Sequence, residues 1–177
     1  DVLLRLQAVQ SARGGARSLS PAALFEAAAK WSQAIDGPAL HTLAHAAAAA
    51  LQPFLSQTGL GLIHGDFWWG NLLRDTNSAV LVDWEESDAH GLLWLDPLLF
   101  TLTLLLDVSP AGNHDGPEAS EALRWCAAQT GLPSQALPHG LIFAGLYKAV
   151  RECEKYRQHD TPVQRWLRAC AANAENV

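Results

Sequence analysis

Apolar and polar positions alternate along the chain with two periods, and most of the length follows the helical one. Ser20 followed by Pro21 is a cap and a proline at the first helical position, which predicts a helix from Ala22 to near Ile35. Asp36-Gly37-Pro38 breaks it. A second, alanine-rich helix is predicted from Ala39 to Ser56, with Leu40, Leu43, Ala47, Leu51 and Leu55 on one face. Pro53 should kink that helix or end it early, and Gly59 is a candidate C-terminal cap. Leu60-Gly61-Leu62-Ile63 is a short apolar run that reads as a buried strand. Asn71–Arg74 and Ala79–Val82 flank the turn-rich tetrad Asp75-Thr76-Asn77-Ser78, which predicts a β-hairpin. Trp84 to Leu95 reads as a loop, and Pro97 as the start of an apolar helix. Ser109 to Pro117 should be a surface loop, followed by helices over Glu118–Thr130, Pro138–Gln158 and Thr161–Asn173. No internal repeat is visible, and Ala46–Ala50 is the one low-complexity tract. The expected fold is α+β and mainly α-helical, with a small β-hairpin set into a helical body.

Composition narrows the class. The chain has 177 residues, 49% of them apolar and 17% charged, enough for one well-filled core. The net charge of −6, without a Lys/Arg cluster beyond Arg13 and Arg17, argues against a nucleic-acid surface. Cys126, Cys153 and Cys170 are too few and too far apart for a disulfide framework or a zinc site. Each is expected to be a small core residue in a reducing, cytoplasmic setting. The run from Gly91 to Val108 is very apolar, but its uninterrupted part after Pro97 is roughly ten residues, against the ~20 a membrane span needs. No membrane association and no signal peptide are expected. The chain begins at Asp1 and contains no methionine, so a fragment of a longer protein is expected.

The polar residues worth attention converge on the hairpin. His64-Gly65-Asp66-Phe67-Trp68-Trp69-Gly70-Asn71 follows the predicted strand, and Leu81-Val82-Asp83-Trp84 closes the hairpin. Asp66 and Asn71 share one loop, and hairpin pairing returns Asp83 to the neighbourhood of Asn71. A carboxylate that accepts a hydroxyl proton, with an amide oxygen and a second carboxylate as hard ligands, suits Mg²⁺-assisted phosphoryl transfer. A lone Asp in a turn or at a strand end is common. The joint pattern of strand, triplet, spaced Asn, hairpin and Asp-Trp is far less so.

These residues resemble the aminoglycoside phosphotransferase and choline kinase-like family, which shares the protein-kinase fold. The family's HGDxxxxN loop stands here as His64-Gly65-Asp66 to Asn71, and its IDW-like segment as Val82-Asp83-Trp84-Glu85. Trp94-Leu95-Asp96-Pro97 is similar to its GDPxxDL segment. The resemblance spans Leu40 to Gln158 and is specific over Leu62–Pro97. It implies a kinase-like C-terminal lobe in which 1–59 is an N-terminal helical part, 60–97 carries the catalytic loop, hairpin and metal-binding segment, and 98–177 is a helical acceptor-side subdomain. It implies Asp66 as catalytic base, Asn71 and Asp83 as Mg²⁺ ligands, and His64 as structural support beneath the loop. Asp96 would tie the loop down, cap the following helix, or do both. ATP or GTP would be the co-substrate, and the partner a small-molecule hydroxyl acceptor: a sugar, an aminoglycoside or an amino alcohol.

The chain departs from the family in two ways. Where the family often has His-Pro, this chain has Trp68-Trp69, which either line an acceptor pocket or anchor the loop. Glu85, Glu86 and Asp88 either draw in an amino-group substrate or form a solvated loop. The second departure is the N-terminal lobe, expected to be absent: Gly14-Gly15 is no phosphate loop between strands, and Lys30 lies in a helical pattern. Such a lobe alone would be nearly inactive, and its uncovered apolar face would favour self-association. A non-catalytic kinase-like scaffold is the rival expectation. A metal-dependent hydrolase using Asp66, Asp83 and His64 is a weaker third, since such sites use more His and carboxylate ligands.

Overall fold

The computed structural model describes residues 21–33, 38–75, 78–108 and 116–174. Among the described residues, six α-helices and four short strands follow in the order α1 (Pro21–Gln33), α2 (Pro38–Leu51), β1 (Leu60–Ile63), β2 (Leu72–Arg74), β3 (Ala79–Leu81), β4 (Asp88–Leu92), α3 (Leu95–Val108), α4 (Pro117–Thr130), α5 (Leu137–Glu154) and α6 (Pro162–Ala174). Proline stands at the first position of α1, α2, α4 and α6, where its missing N–H costs no hydrogen bond. Gly131, with φ of 72°, ends α4 by donating its N–H to the Ala127 carbonyl. Thr161 caps α6 by accepting the Gln164 N–H.

One hydrophobic core runs from Leu24 to Ala171, and every helix contributes to it. Helix α5 lies at its centre: Gly140 through Tyr147 are all buried. It packs against α1, α2, α3 and α6. Trp31 of α1 meets Phe143 and Tyr147 of α5 at ring separations of 4.7 and 5.2 Å. Gly145 admits the Trp166 ring, which a Cβ would approach to 3.0 Å. No described helix is long and apolar enough to cross a membrane.

Several elements differ from the sequence expectation. The alanine-rich helix stops at Leu51 and continues as a 3₁₀ segment, Gln52–Gln57, because Pro53 cannot donate to an α-helical ladder. Thr58, not Gly59, closes that segment, and Gly59 instead accepts a hydrogen bond from Leu93. The stretch expected as a loop, Trp84–Leu95, contains β4, which pairs antiparallel with β1 in the register Leu60↔Leu92 and Gly61↔Gly91. There are therefore two two-stranded sheets among the described residues, β1–β4 and β2–β3, rather than one hairpin. Helix α3 begins at Leu95, and α5 ends at Glu154 rather than Gln158. Cys126 is buried, whereas Cys153 and Cys170 are only partly so. Most of the expected loop from Ser109, together with Arg13, Arg17 and Gly14-Gly15, lies outside the described residues.

Candidate active site

The loop leaving β1 is held from below by one buried carboxylate. Asp96, in the first turn of α3, is 1% exposed. Its Oδ2 accepts the His64 N–H at 2.7 Å and its Oδ1 the Gly65 N–H at 2.9 Å. Burial pushes the Asp96 carboxyl up, and the two donors pull against it without overcoming it. Gly65 sits at φ of 79°, and a Cβ there would come within 2.3 Å of the Glu86 carbonyl oxygen. Only glycine satisfies both the left-handed turn and the close approach. The pair Gly65–Asp96 thereby aims Asp66 out of the body, where its side chain is 28% exposed.

The β2–β3 hairpin brings the next two residues together. Asn71 is buried and donates through Nδ2 to the Asp66 carbonyl oxygen at 3.0 Å. The Asn71 carbonyl accepts the Val82 N–H at 2.9 Å, so Asp83 follows directly on Asn71's cross-strand neighbour. Asp83 is exposed and adopts φ 62°, ψ 63°, a left-handed conformation that Asp tolerates better than most residues. His64 is fully buried, its Nε2 2.8 Å from the Val82 carbonyl, so Nε2 carries the proton and donates. Its Nδ1 is left buried without a partner, and Trp84 packs edge-on to the ring at 4.8 Å. His64 thus ties the start of the first loop to the end of the hairpin. Among the described residues, no group of three or more His, Cys, Asp or Glu side chains forms a metal cluster. Asn71 and Asp83, which the hairpin pairing makes near neighbours, each carry a hard side-chain oxygen that could serve a metal. That suits a cation such as Mg²⁺, which keeps waters and takes further oxygens from phosphates.

Helix α5 adds a row of cations that the sequence reading missed. Lys148 Nζ lies 2.8 Å from Asp66 Oδ1. Arg151 and Lys155, further along the same face, both bond the carboxylate of Glu86. Lys155 also reaches Glu85 Oε1 at 3.0 Å, and the Tyr156 hydroxyl donates to Glu86 Oε1 at 3.1 Å. A signal for Lys148 was present: the positions three and four residues before it are Gly145 and Ala144, both buried, so the lysine stands in an apolar stripe. The expectation for the acidic stretch is corrected for one member. Glu86 is 4% exposed and belongs to neither a solvated loop nor an open attractive surface. Burial pushes its carboxyl up, but Lys155, Tyr156 and Arg151 together hold it below the ordinary value. Glu85 and Asp88 are exposed, and Asp88 accepts the His90 N–H at 2.8 Å. Asp88 also borders a polar cavity of about 400 Å³ between Lys30, Trp31, Tyr147 and Arg151.

Trp68 and Trp69 are 36% and 55% exposed and stand edge to face at 5.8 Å. Trp69 Nε1 donates to Asp107 Oδ2 at 2.6 Å, near the end of α3. The Trp68 ring covers Gly70, where a Cβ would meet it at 2.3 Å. Phe67, by contrast, is buried and stacks on Phe100 at 4.9 Å.

Residues 1–96 match the model of the phosphotransferase enzyme family, more than half of the chain. The chain belongs to that family. Within this phosphotransferase-family chain the matched part ends at Asp96, the residue that anchors the loop. Two solved structures of glucosamine kinase are similar to it. One, in complex with glucosamine, ADP and inorganic phosphate, shares 16% identity at a TM-score of 0.48. The other shares 18% at 0.49. Both alignments cover 99% of this chain, which spans about half of each kinase, 52% and 51%. No curated protein sequence matches the chain.

Proposed function

We propose that this chain carries the acceptor-side half of the active site of a small-molecule kinase, in the manner of a kinase-like C-terminal lobe. The reaction is transfer of the γ-phosphoryl of ATP or GTP to a hydroxyl of a sugar, an aminoglycoside or an amino alcohol. Family membership supports the phosphotransferase class. The observation that carries the site assignment is the backbone node linking the two loops: Asn71 to Asp66, Val82 to Asn71, and His64 to Val82. Asp66 and Asn71 belong to that node, and Asp83 directly follows its member Val82. In this reading Asp66 orients the acceptor hydroxyl and takes its proton. Asn71 Oδ1 and the Asp83 carboxylate hold Mg²⁺, which neutralises phosphate charge when bound. Asp96 and His64 fix the geometry, because phosphoryl transfer depends chiefly on positioning and electrostatic stabilisation. The segments 60–97 and 98–177 then divide into a catalytic part and an acceptor-side part.

The test is nucleotide consumption by the full-length protein against a panel of amino alcohols, sugars and aminoglycosides. Asp66→Asn should abolish transfer and leave nucleotide binding intact. Asp83→Ala should remove Mg²⁺-dependent nucleotide affinity in calorimetry. Full activity of Asp66→Asn would sink the base assignment, and Mg²⁺-dependent binding without any turnover would favour a scaffold.

A further inference from the structure

We propose that Lys148 is a positioning residue for Asp66, backed by buried Glu152 one helical turn further along the same face; this rests on the phosphotransfer reading above. The two oxygens of Asp66 are not equivalent. Oδ1 is held by the Lys148 ammonium at 2.8 Å, whereas Oδ2 has, among the described residues, only the Asn71 Nδ2 contact at 3.5 Å. Oδ2 is therefore the oxygen presented to an acceptor hydroxyl. A loop carboxylate can turn about its two side-chain torsions, and a bond from a helix removes that freedom. The helix chosen is the most deeply packed one, with Gly140 through Tyr147 buried immediately before Lys148.

Glu152 lies one helical turn beyond Lys148 and is 8% exposed. Its carboxylate is bonded by the Thr161 hydroxyl at the start of α6. Burial pushes the Glu152 carboxyl up, against the Thr161 bond and the positive charge of Lys148 on the same face of α5. Lys148 thus bonds one carboxylate on the loop and has a second one turn along its own helix. Gly65, Asp66, Lys148 and Glu152 line one small cleft.

The pair has little to add to folding. Asp96, His64 and Asn71 already fix the loop backbone. An ion pair that water still reaches, as it does both of these side chains, contributes little by itself. Its consequence falls instead on where the carboxylate points, and a misplacement of about 1 Å can cost about a hundredfold in rate.

The test uses the full-length protein with whichever acceptor the panel identifies. Lys148→Met should lower kcat tenfold to a hundredfold while KM for nucleotide stays within twofold and the urea midpoint is unchanged. Lys148→Arg, which keeps the charge, should recover part of that loss. Glu152→Gln should lower kcat severalfold with Lys148 intact. Wild-type kcat in Lys148→Met overturns the proposal. So does equal loss in the Met and Arg variants accompanied by lowered stability, because that is the mark of a structural role. No turnover by the wild type with any acceptor removes the kinase reading itself, a result distinct from an active wild type whose Lys148→Met variant is unimpaired.

Discussion

Replacing Asp96 by asparagine changes one atom and should disconnect the loop that carries Asp66. Both carboxylate oxygens are occupied, by the amides of His64 and Gly65 at 2.7 and 2.9 Å. An asparagine offers one acceptor, and its NH₂ must then face the other amide donor to donor. A hydrogen bond to a charged acceptor is worth about 1.5–3 kcal/mol net, and a buried unsatisfied amide costs about 1–3 kcal/mol. Burial of the Asp96 charge opposes these, since burial pushes its carboxyl up, and removing the charge relieves that cost. The net expectation for Asp96→Asn is a loss of about 2–3 kcal/mol. For Asp96→Ala, which orphans both amides, it is about 3–5 kcal/mol. In a chain of this size each kcal/mol moves Tm by about 2–4 °C, so the asparagine variant should melt roughly 5–10 °C lower.

Urea unfolding followed by tryptophan fluorescence measures this directly, with an unchanged slope showing that two-state behaviour is preserved. Amide hydrogen exchange supplies the local readout. The His64 and Gly65 amides should lose protection in Asp96→Asn while the amides of α5 keep theirs. A variant within about 0.5 kcal/mol of wild type, or one with both amides still protected, would refute the anchoring role.

Three other outcomes are expected. Gly65→Ala should cost at least about 1–2 kcal/mol from the left-handed backbone alone, and more from the Cβ placed 2.3 Å from the Glu86 carbonyl oxygen; an unshifted melting curve would show that the turn can rearrange. Glu86 is held below its ordinary value of 4.5, so the folded state binds fewer protons there than the unfolded state. Its contribution is present above about pH 4.5 and lost as pH falls through the lower folded value. Glu86→Gln should therefore flatten the fall of the urea midpoint in that acid window, and an equal slope in both proteins would contradict the assignment. Trp69→Phe removes the bond to Asp107 from a residue that is 55% exposed, and should cost about 1 kcal/mol or less; a loss above about 2 kcal/mol would make Trp69 a packing anchor rather than a surface group.

The helices and the hairpin were legible because their signals are local. Pro21, Pro38, Pro117 and Pro162 sit at helix starts, and the Asp75–Ser78 tetrad lies between two apolar runs. Strand β4 was not legible. Asp88-Ala89-His90-Gly91-Leu92 has neither alternation nor β-branched residues, and it is a strand only because β1 offers it an edge. Gly91 is required there because Ile63 occupies the space a Cβ would take. The sequence showed the carboxylates of the site but not their partners. Lys148 meets Asp66 across 82 residues, and Arg151 meets Glu86 across 65. No periodicity encodes pairings at that range.

Under the proposed kinase reading, those partners bear on how an acceptor would be recognised. Lys148, Arg151 and Lys155 recur along one side of α5 and its end and meet Asp66, Glu86 and Glu85 in turn. These ion pairs join three cations to three anions, while exposed Asp83 and Asp88 and buried Glu152 add further carboxylates. Two of the three members of the acidic stretch, Glu85 and Glu86, are therefore compensated by the helix end they face. Under the proposed reading, the long-range electrostatic pull of those two carboxylates on a polycationic acceptor is weakened accordingly, since paired charges cancel at distances beyond the cluster. Under that reading, discrimination among acceptors would draw on contact-range features. Those available around this site are the Asp66 oxygen left free by Lys148, the exposed Asp88, and the aromatic walls of Trp31 and Tyr147 at the polar cavity that Arg151 shares with the Asp66 cleft.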